Sequence, residues 1–287
     1  MSALTPTGRL RASINVGNPI LAHRDADGRP GGVSVDVAGE FARRLGVELE
    51  LIDFDRAADS VAAVRGEQAD IGFFAVDPAR SDGLLFTAPY VLIEGSYLVP
   101  VGSGLIENAQ VDKAGTRMSV KSGSAYDLYL TRVLTAAELV RFDDVASSLA
   151  ALRGGEVEVA AGIRQLMQAE SERTPELRVL PGRFMVIEQA IGTPSSRGPD
   201  AQRELADFVE ELKATGFVAD ALTRHNVTGA SVAPPASRRT TNGQLRYEWP
   251  VITGHSCANW PFVGDGEEAV PRQIEVKPSA ARVDNPS

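Results

Sequence analysis

The feature that most constrains this chain is a short unit that occurs twice. Ala62-Ala63-Val64-Arg65-Gly66 is echoed by Ala150-Ala151-Leu152-Arg153-Gly154, and each copy runs on through an acidic residue into an apolar stretch, Asp70-Ile71-Gly72 and Glu158-Val159-Ala160. Small apolar residues closing on Arg-Gly read as the last turn of a helix stopped by glycine, and the stretch beyond as a buried strand. Two copies are too few for a solenoid. They suit an α/β protein of two lobes with related topology, each a small, mostly parallel sheet flanked by helices. In open sheets of this kind ligands settle beyond the carboxyl ends of the strands, which singles out residues 74–80 and 161–164.

The surrounding pattern agrees. Residues 10–16 (LRASINV) read as a first strand, followed by an irregular loop through Asn18-Pro19 and a turn at Asp25-Ala26-Asp27-Gly28. Val37, Phe41 and Leu45 recur at helical spacing and Gly46 stands where a left-handed glycine would end that helix. Residues 47–54 alternate as a strand, 57–65 form a short helix and 70–76 a buried strand. Residues 203–212 and 218–225 are helices expected to return to the first lobe. From Gly229 onward neither period persists, while prolines accumulate and both tryptophans appear. Residues 229–287 are therefore read as a disordered tail that cannot repay its ordering entropy.

Composition narrows the partners. The formal charge is -9 and no basic run exists to follow a phosphate backbone, so nucleic acid is excluded as a partner. No stretch is apolar for long enough to span a bilayer. Residues 1–17 lack an apolar core of signal-peptide length, so the chain as written is expected to stay in the cytoplasm. The lone Cys257 and the scattered His23, His225 and His255 offer no metal spacing. No cofactor is called for, and a monomer is expected.

Arg80 ends the segment Asp77-Pro78-Ala79-Arg80 after the buried strand. By itself it is either a carboxylate-gripping guanidinium or a surface arginine after a proline turn. Ser122-Gly123-Ser124-Ala125 precedes a helical stretch, residues 126–134, where it serves as an N-cap and also lets backbone approach an anion.

Taken in order, Asn18-Pro19, Asp27-Gly28, Gly32-Val33-Ser34-Val35-Asp36, Asp77-Pro78-Ala79-Arg80, Phe86-Thr87-Ala88-Pro89-Tyr90 and Ser122-Gly123-Ser124 resemble the type II periplasmic solute-binding proteins of family 3, which serve ABC importers of polar amino acids. The resemblance covers roughly residues 8–227. It implies a two-lobed fold with a two-strand hinge, expected at residues 97–101 and 187–192. Residues 8–97 with 191–228 would form one lobe and 100–188 the other. It further implies a periplasmic location, an ABC permease as partner, and a small-molecule carboxylate held by Arg80 together with Asn18, Ser122, Ser124 and Ala125.

Two departures shape the expected ligand. Where many relatives carry a hydroxyl five residues before the arginine, this chain has Ala75, which leaves only backbone there. Where the resemblance places an ammonium-binding acid, this chain has Ile163, followed by Arg164. A buried ammonium opposite Ile163 would lose its water without gaining a partner. The expected ligand is thus an anionic organic acid and not an ordinary amino acid. Arg164 is read as a second cation at the cleft or as a solvated helix-start residue. Glu94 is read as its neutralising partner or as an ammonium site. A cyclohexadienyl dehydratase-like enzyme and a stand-alone cytoplasmic sensor are the alternatives. The first would need a positioned acid where Ile163 stands.

Overall fold

The structure is a computed structural model that describes residues 2–241 and 244–248. The chain opens with β1 (Arg9–Asn15), the two-residue strands β2 (His23–Arg24) and β3 (Pro30–Gly31), α1 (Val33–Leu45), β4 (Glu48–Phe54), α2 (Ala57–Arg65) and β5 (Ile71–Ala75). A 3-10 turn at Pro78–Arg80 leads to β6 (Leu84–Phe86) and the long β7 (Val91–Pro100). Then come β8 (Arg117–Lys121), α3 (Ala125–Val133), β9 (Glu138–Phe142), α4 (Val145–Arg153), β10 (Val159–Ile163), α5 (Arg164–Arg173), β11 (Leu177–Val179) and the long β12 (Met185–Pro194). The chain continues through α6 (Gly198–Ala214), α7 (Phe217–Arg224), β13 (Ala230–Val232) and a hairpin of β14 (Ser237–Thr241) with β15 (Gln244–Glu248).

The repeated unit is real in three dimensions. α2 and β5 carry one copy, α4 and β10 the other, and the likeness extends to tertiary hydrogen bonds. Ser13 of β1 bonds Ser60 of α2 (Oγ to Oγ 2.7 Å), and Ser119 of β8 bonds Ser148 of α4 in the same way (2.9 Å). The Asp70 carboxylate accepts from the Arg11 amide at 3.0 Å, and the Glu158 carboxylate from the Arg117 amide at 2.7 Å. All four serines are buried, so each pair satisfies polar groups that would otherwise cost free energy inside the lobe.

Each lobe has its parallel ladder, β4–β1–β5 in one and β9–β8–β10 in the other. They are not two separate sheets, however. β12 and β7 join them antiparallel into a single mixed sheet of order β4-β1-β5-β12-β7-β10-β8-β9. β7 pairs with β12 over residues 91–95 and passes to β10 at Gly95, two residues before the segment 97–101 expected as a hinge.

The second correction concerns the tail. β13 falls inside the stretch that patterning assigns to disorder, yet it pairs antiparallel with the start of β7, Ala230 opposite Ile93 and Val232 opposite Val91. Ala233 is buried, Lys213 donates to the Pro234 carbonyl and the Ala236 amide donates to Glu210. Three residues are too few to show a period, and their order comes from a strand edge far away in sequence. Residues 249–287 of the expected tail lie outside the described residues.

Candidate functional site

The strand ends singled out by the repeat converge on one cavity of about 320 Å³ between the lobes. β5 delivers Ala75, and the chain then turns tightly because Asp77, itself only 4% exposed, accepts from the Ala79 amide at 2.9 Å with Pro78 already fixed for a helical turn. That turn swings Arg80 back under the strand. Arg80 is 7% exposed and lines the cavity. Its Nη1 donates to the Ala75 carbonyl at 3.2 Å and its Nη2 crosses to the Gly123 carbonyl at 3.0 Å.

The second lobe answers with Lys121, at the end of β8, whose Nζ donates to the Gly17 carbonyl at 3.1 Å. Both residues whose carbonyls accept across the cleft, Gly17 and Gly123, need to be glycine. A Cβ at Gly17 would stand 2.1 Å from the Asp55 carbonyl oxygen, and Gly123 holds φ at 68°. Ser124 caps α3 by accepting from the Asp127 amide, while Asp127 accepts from the Gly123 amide. The loop 122–124 and the first residues of α3, Ala125 and Tyr126, are thereby fixed along the cavity wall.

Neither cation has an acidic partner bonded to it among the described residues. Burial pushes the Arg80 guanidinium below its ordinary value, with Asp77 pulling the other way, and Asp77 is itself taken by Arg132 through two bonds of 3.0 and 2.8 Å. Burial likewise lowers Lys121, against the pull of Asp144 and Asp55. Among the lining residues the one carboxylate is Asp143, which is exposed. An exposed Arg56 stands at the edge, and the wall is otherwise apolar or neutral, with Phe73, Ile163, Leu166, Ile187, and Tyr126, whose phenol burial raises to about 12.

Six residues singled out in the sequence therefore meet at this cavity: Asn18, Ala75, Arg80, Ser122, Ser124 and Ala125. The Asn18 Oδ1 is enclosed there without a hydrogen-bond partner among the described residues. Arg164 and Glu94 do not line it. Arg164 bonds Glu94 at 2.6 Å and the Gly182 carbonyl, and Glu94 takes Arg183 at 2.8 Å as well. The reading of Arg164 as a second cation at the cleft gives way to the reading of Glu94 as its neutralising partner. The second cation that is not exposed to solvent is Lys121.

Sequence patterning passes over Gln189. It sits on β12, is 6% exposed and lines the cavity. Only the pairing of strands far apart in sequence brings it there.

Solved structures of the same fold include a solute receptor for L-cysteine from Neisseria gonorrhoeae, with TM-score 0.67, 21% identity and coverage of 79% of this chain and 93% of that one. A cysteine-binding protein from Campylobacter jejuni gives 0.65 and 17%, covering 78% and 93%. An amino acid ABC transporter substrate-binding protein from Streptococcus pneumoniae, bound to L-arginine, gives 0.65 and 18%, covering 78% and 96%. No curated protein matches this chain. The model of the bacterial extracellular solute-binding proteins, family 3, matches residues 10–227, and the chain belongs to that family.

Proposed function

We propose that this chain is the solute-binding component of an ABC-type importer and that it holds a small carboxylate anion, not an α-amino acid, between its lobes. Family membership supports the transport role. One observation carries the choice of ligand: Arg80 is a buried guanidinium whose bonds go to two neutral carbonyls, in a cavity that Lys121 also enters and that no buried carboxylate lines. A guanidinium can give two parallel hydrogen bonds to a carboxylate, each contributing about 1.5 to 3 kcal/mol. An ammonium group beside Ile163 would meet Arg80 and Lys121 and no buried acid. The solved relatives bind amino acids such as cysteine and arginine; this chain keeps the carboxylate half of such a site. We assign residues 8–97 and 191–228, with 230–236 added, to one lobe, and 100–188 to the other.

Thermal unfolding of the full chain against mono- and dicarboxylates and α-amino acids tests the reading. A ligand at a hundredfold excess over its Kd adds about 2.7 kcal/mol of stability. Carboxylates are expected to raise the midpoint and Arg80→Ala to abolish the rise. Stabilisation by amino acids alone, or a rise that survives Arg80→Ala, refutes it.

A further inference from the structure

Gln189 is a buried amide whose side chain has no hydrogen-bond partner among the described residues, and it lines the same cavity as Arg80. Its backbone is occupied, since its carbonyl accepts from the Tyr90 amide, and β12 holds it in register. The side chain alone is left over. An amide that lines the cavity with its donors and acceptor uncommitted can bond a group that arrives from outside.

The register says which part of a ligand it meets. Gln189 stands directly opposite Ala75 in the antiparallel pairing of β12 with β5. Opposed residues share a face, with Cβ atoms about 4.5 to 5.5 Å apart. Ala75 brings only a methyl group to that face, while its carbonyl holds the Arg80 Nη1. The Gln189 amide and the Arg80 guanidinium thus bracket one end of the cavity. A carboxylate on Arg80 would place its neighbouring carbon within the reach of Gln189. An amide offers both N–H donors and an oxygen acceptor and carries no charge. With Arg80 and Lys121 present and no buried acid, that neighbouring position favours oxygen over ammonium.

We propose that Gln189 is a specificity-determining residue that selects acids bearing a hydroxyl or keto oxygen on the carbon next to the carboxylate. The proposal rests on the carboxylate reading above. Isothermal titration of the full chain with propionate, lactate, pyruvate and alanine, and with succinate, malate, oxaloacetate and aspartate, tests it in wild type, Gln189→Met and Arg80→Ala. Lactate and pyruvate, or malate and oxaloacetate, are expected to bind about tenfold or more tightly than their unsubstituted counterparts. Gln189→Met, which keeps length and fills the same space, is expected to remove that ratio by weakening the hydroxy and keto acids about tenfold more than the unsubstituted acid. A purely structural role would weaken every acid alike. Gln189→Asn, with the amide one carbon shorter, gives an intermediate ratio. An unchanged ratio in Gln189→Met overturns the inference while the Arg80 dependence upholds the carboxylate reading; preference for the amino acid overturns both. Absence of binding by any acid sinks both.

Discussion

Arg80 of one lobe donates through Nη2 to the carbonyl of Gly123 of the other at 3.0 Å, while Lys121, two residues before that glycine, donates back to Gly17 at 3.1 Å. Each cation of the site is thus also a strut across the cleft. Arg80→Lys keeps the charge and loses the fork, because an ammonium is a point donor that cannot hold Ala75, Gly123 and a carboxylate together. With one charge-assisted bond lost, about 1.5 to 3 kcal/mol, carboxylate affinity is expected to fall about ten- to a hundredfold by titration calorimetry.

A third strut joins Arg132 of α3 to Asp77 through two bonds. Arg132→Met leaves a carboxylate that is 4% exposed without its partner, and parting of the lobes would restore water to it. The fraction of open molecules is expected to rise about tenfold, a shift near 1.4 kcal/mol, seen as a larger radius of gyration in solution scattering and a weaker apparent affinity. Double substitution with Asp77→Asn is expected to recover part of the effect.

The Glu94 network gives a pH prediction. Burial would push its carboxyl up, but Arg183 and Arg164 outweigh that and hold it below the ordinary 4.5. A carboxyl lowered in the folded state adds stability above its unfolded value and loses it as pH falls through the folded one. Glu94→Gln is therefore expected to lower stability by about 1 to 2 kcal/mol at neutral pH, toward the lower end because the side chain is 31% exposed. Thermal midpoints of wild type and variant should converge as pH drops below 4.5.

Ile163→Asp tests the missing acid. The new carboxylate would enter a cavity where Arg80 and Lys121 already stand. Affinity for α-amino acids is expected to rise at least about tenfold, and affinity for simple acids to fall through like-charge repulsion. Competition between alanine and propionate in the two proteins measures the exchange.

The strands, the repeat and Arg80 were legible because their signals are local: an apolar run, a glycine stop and an Asp-Pro turn each act within a few residues. Ala57–Arg65 follows from its own sequence as the second helix and Gly46 ends the first in the left-handed conformation, at φ 66°. What escaped depends on distance. Whether Arg164 enters the cleft or pairs with Glu94 stayed open in the sequence, because the two stand seventy positions apart and only the fold brings them together. Gln189 is an ordinary strand residue until β12 meets β5. β13 has no pattern of its own and takes its order from β7.

That third strand bears on how the molecule bends. Over residues 91–93 β7 is flanked by β12 on one side and β13 on the other, so its backbone is splinted and has no spare edge with which to twist. The splint ends just before Gly95, which faces Met185 and Ile163 at once, and where even a methyl group would come within 2.7 Å of the Met185 side chain. Bending of β7 is therefore expected around Gly95, where the strand exchanges β12 for β10, and not along residues 91–93, which β13 braces.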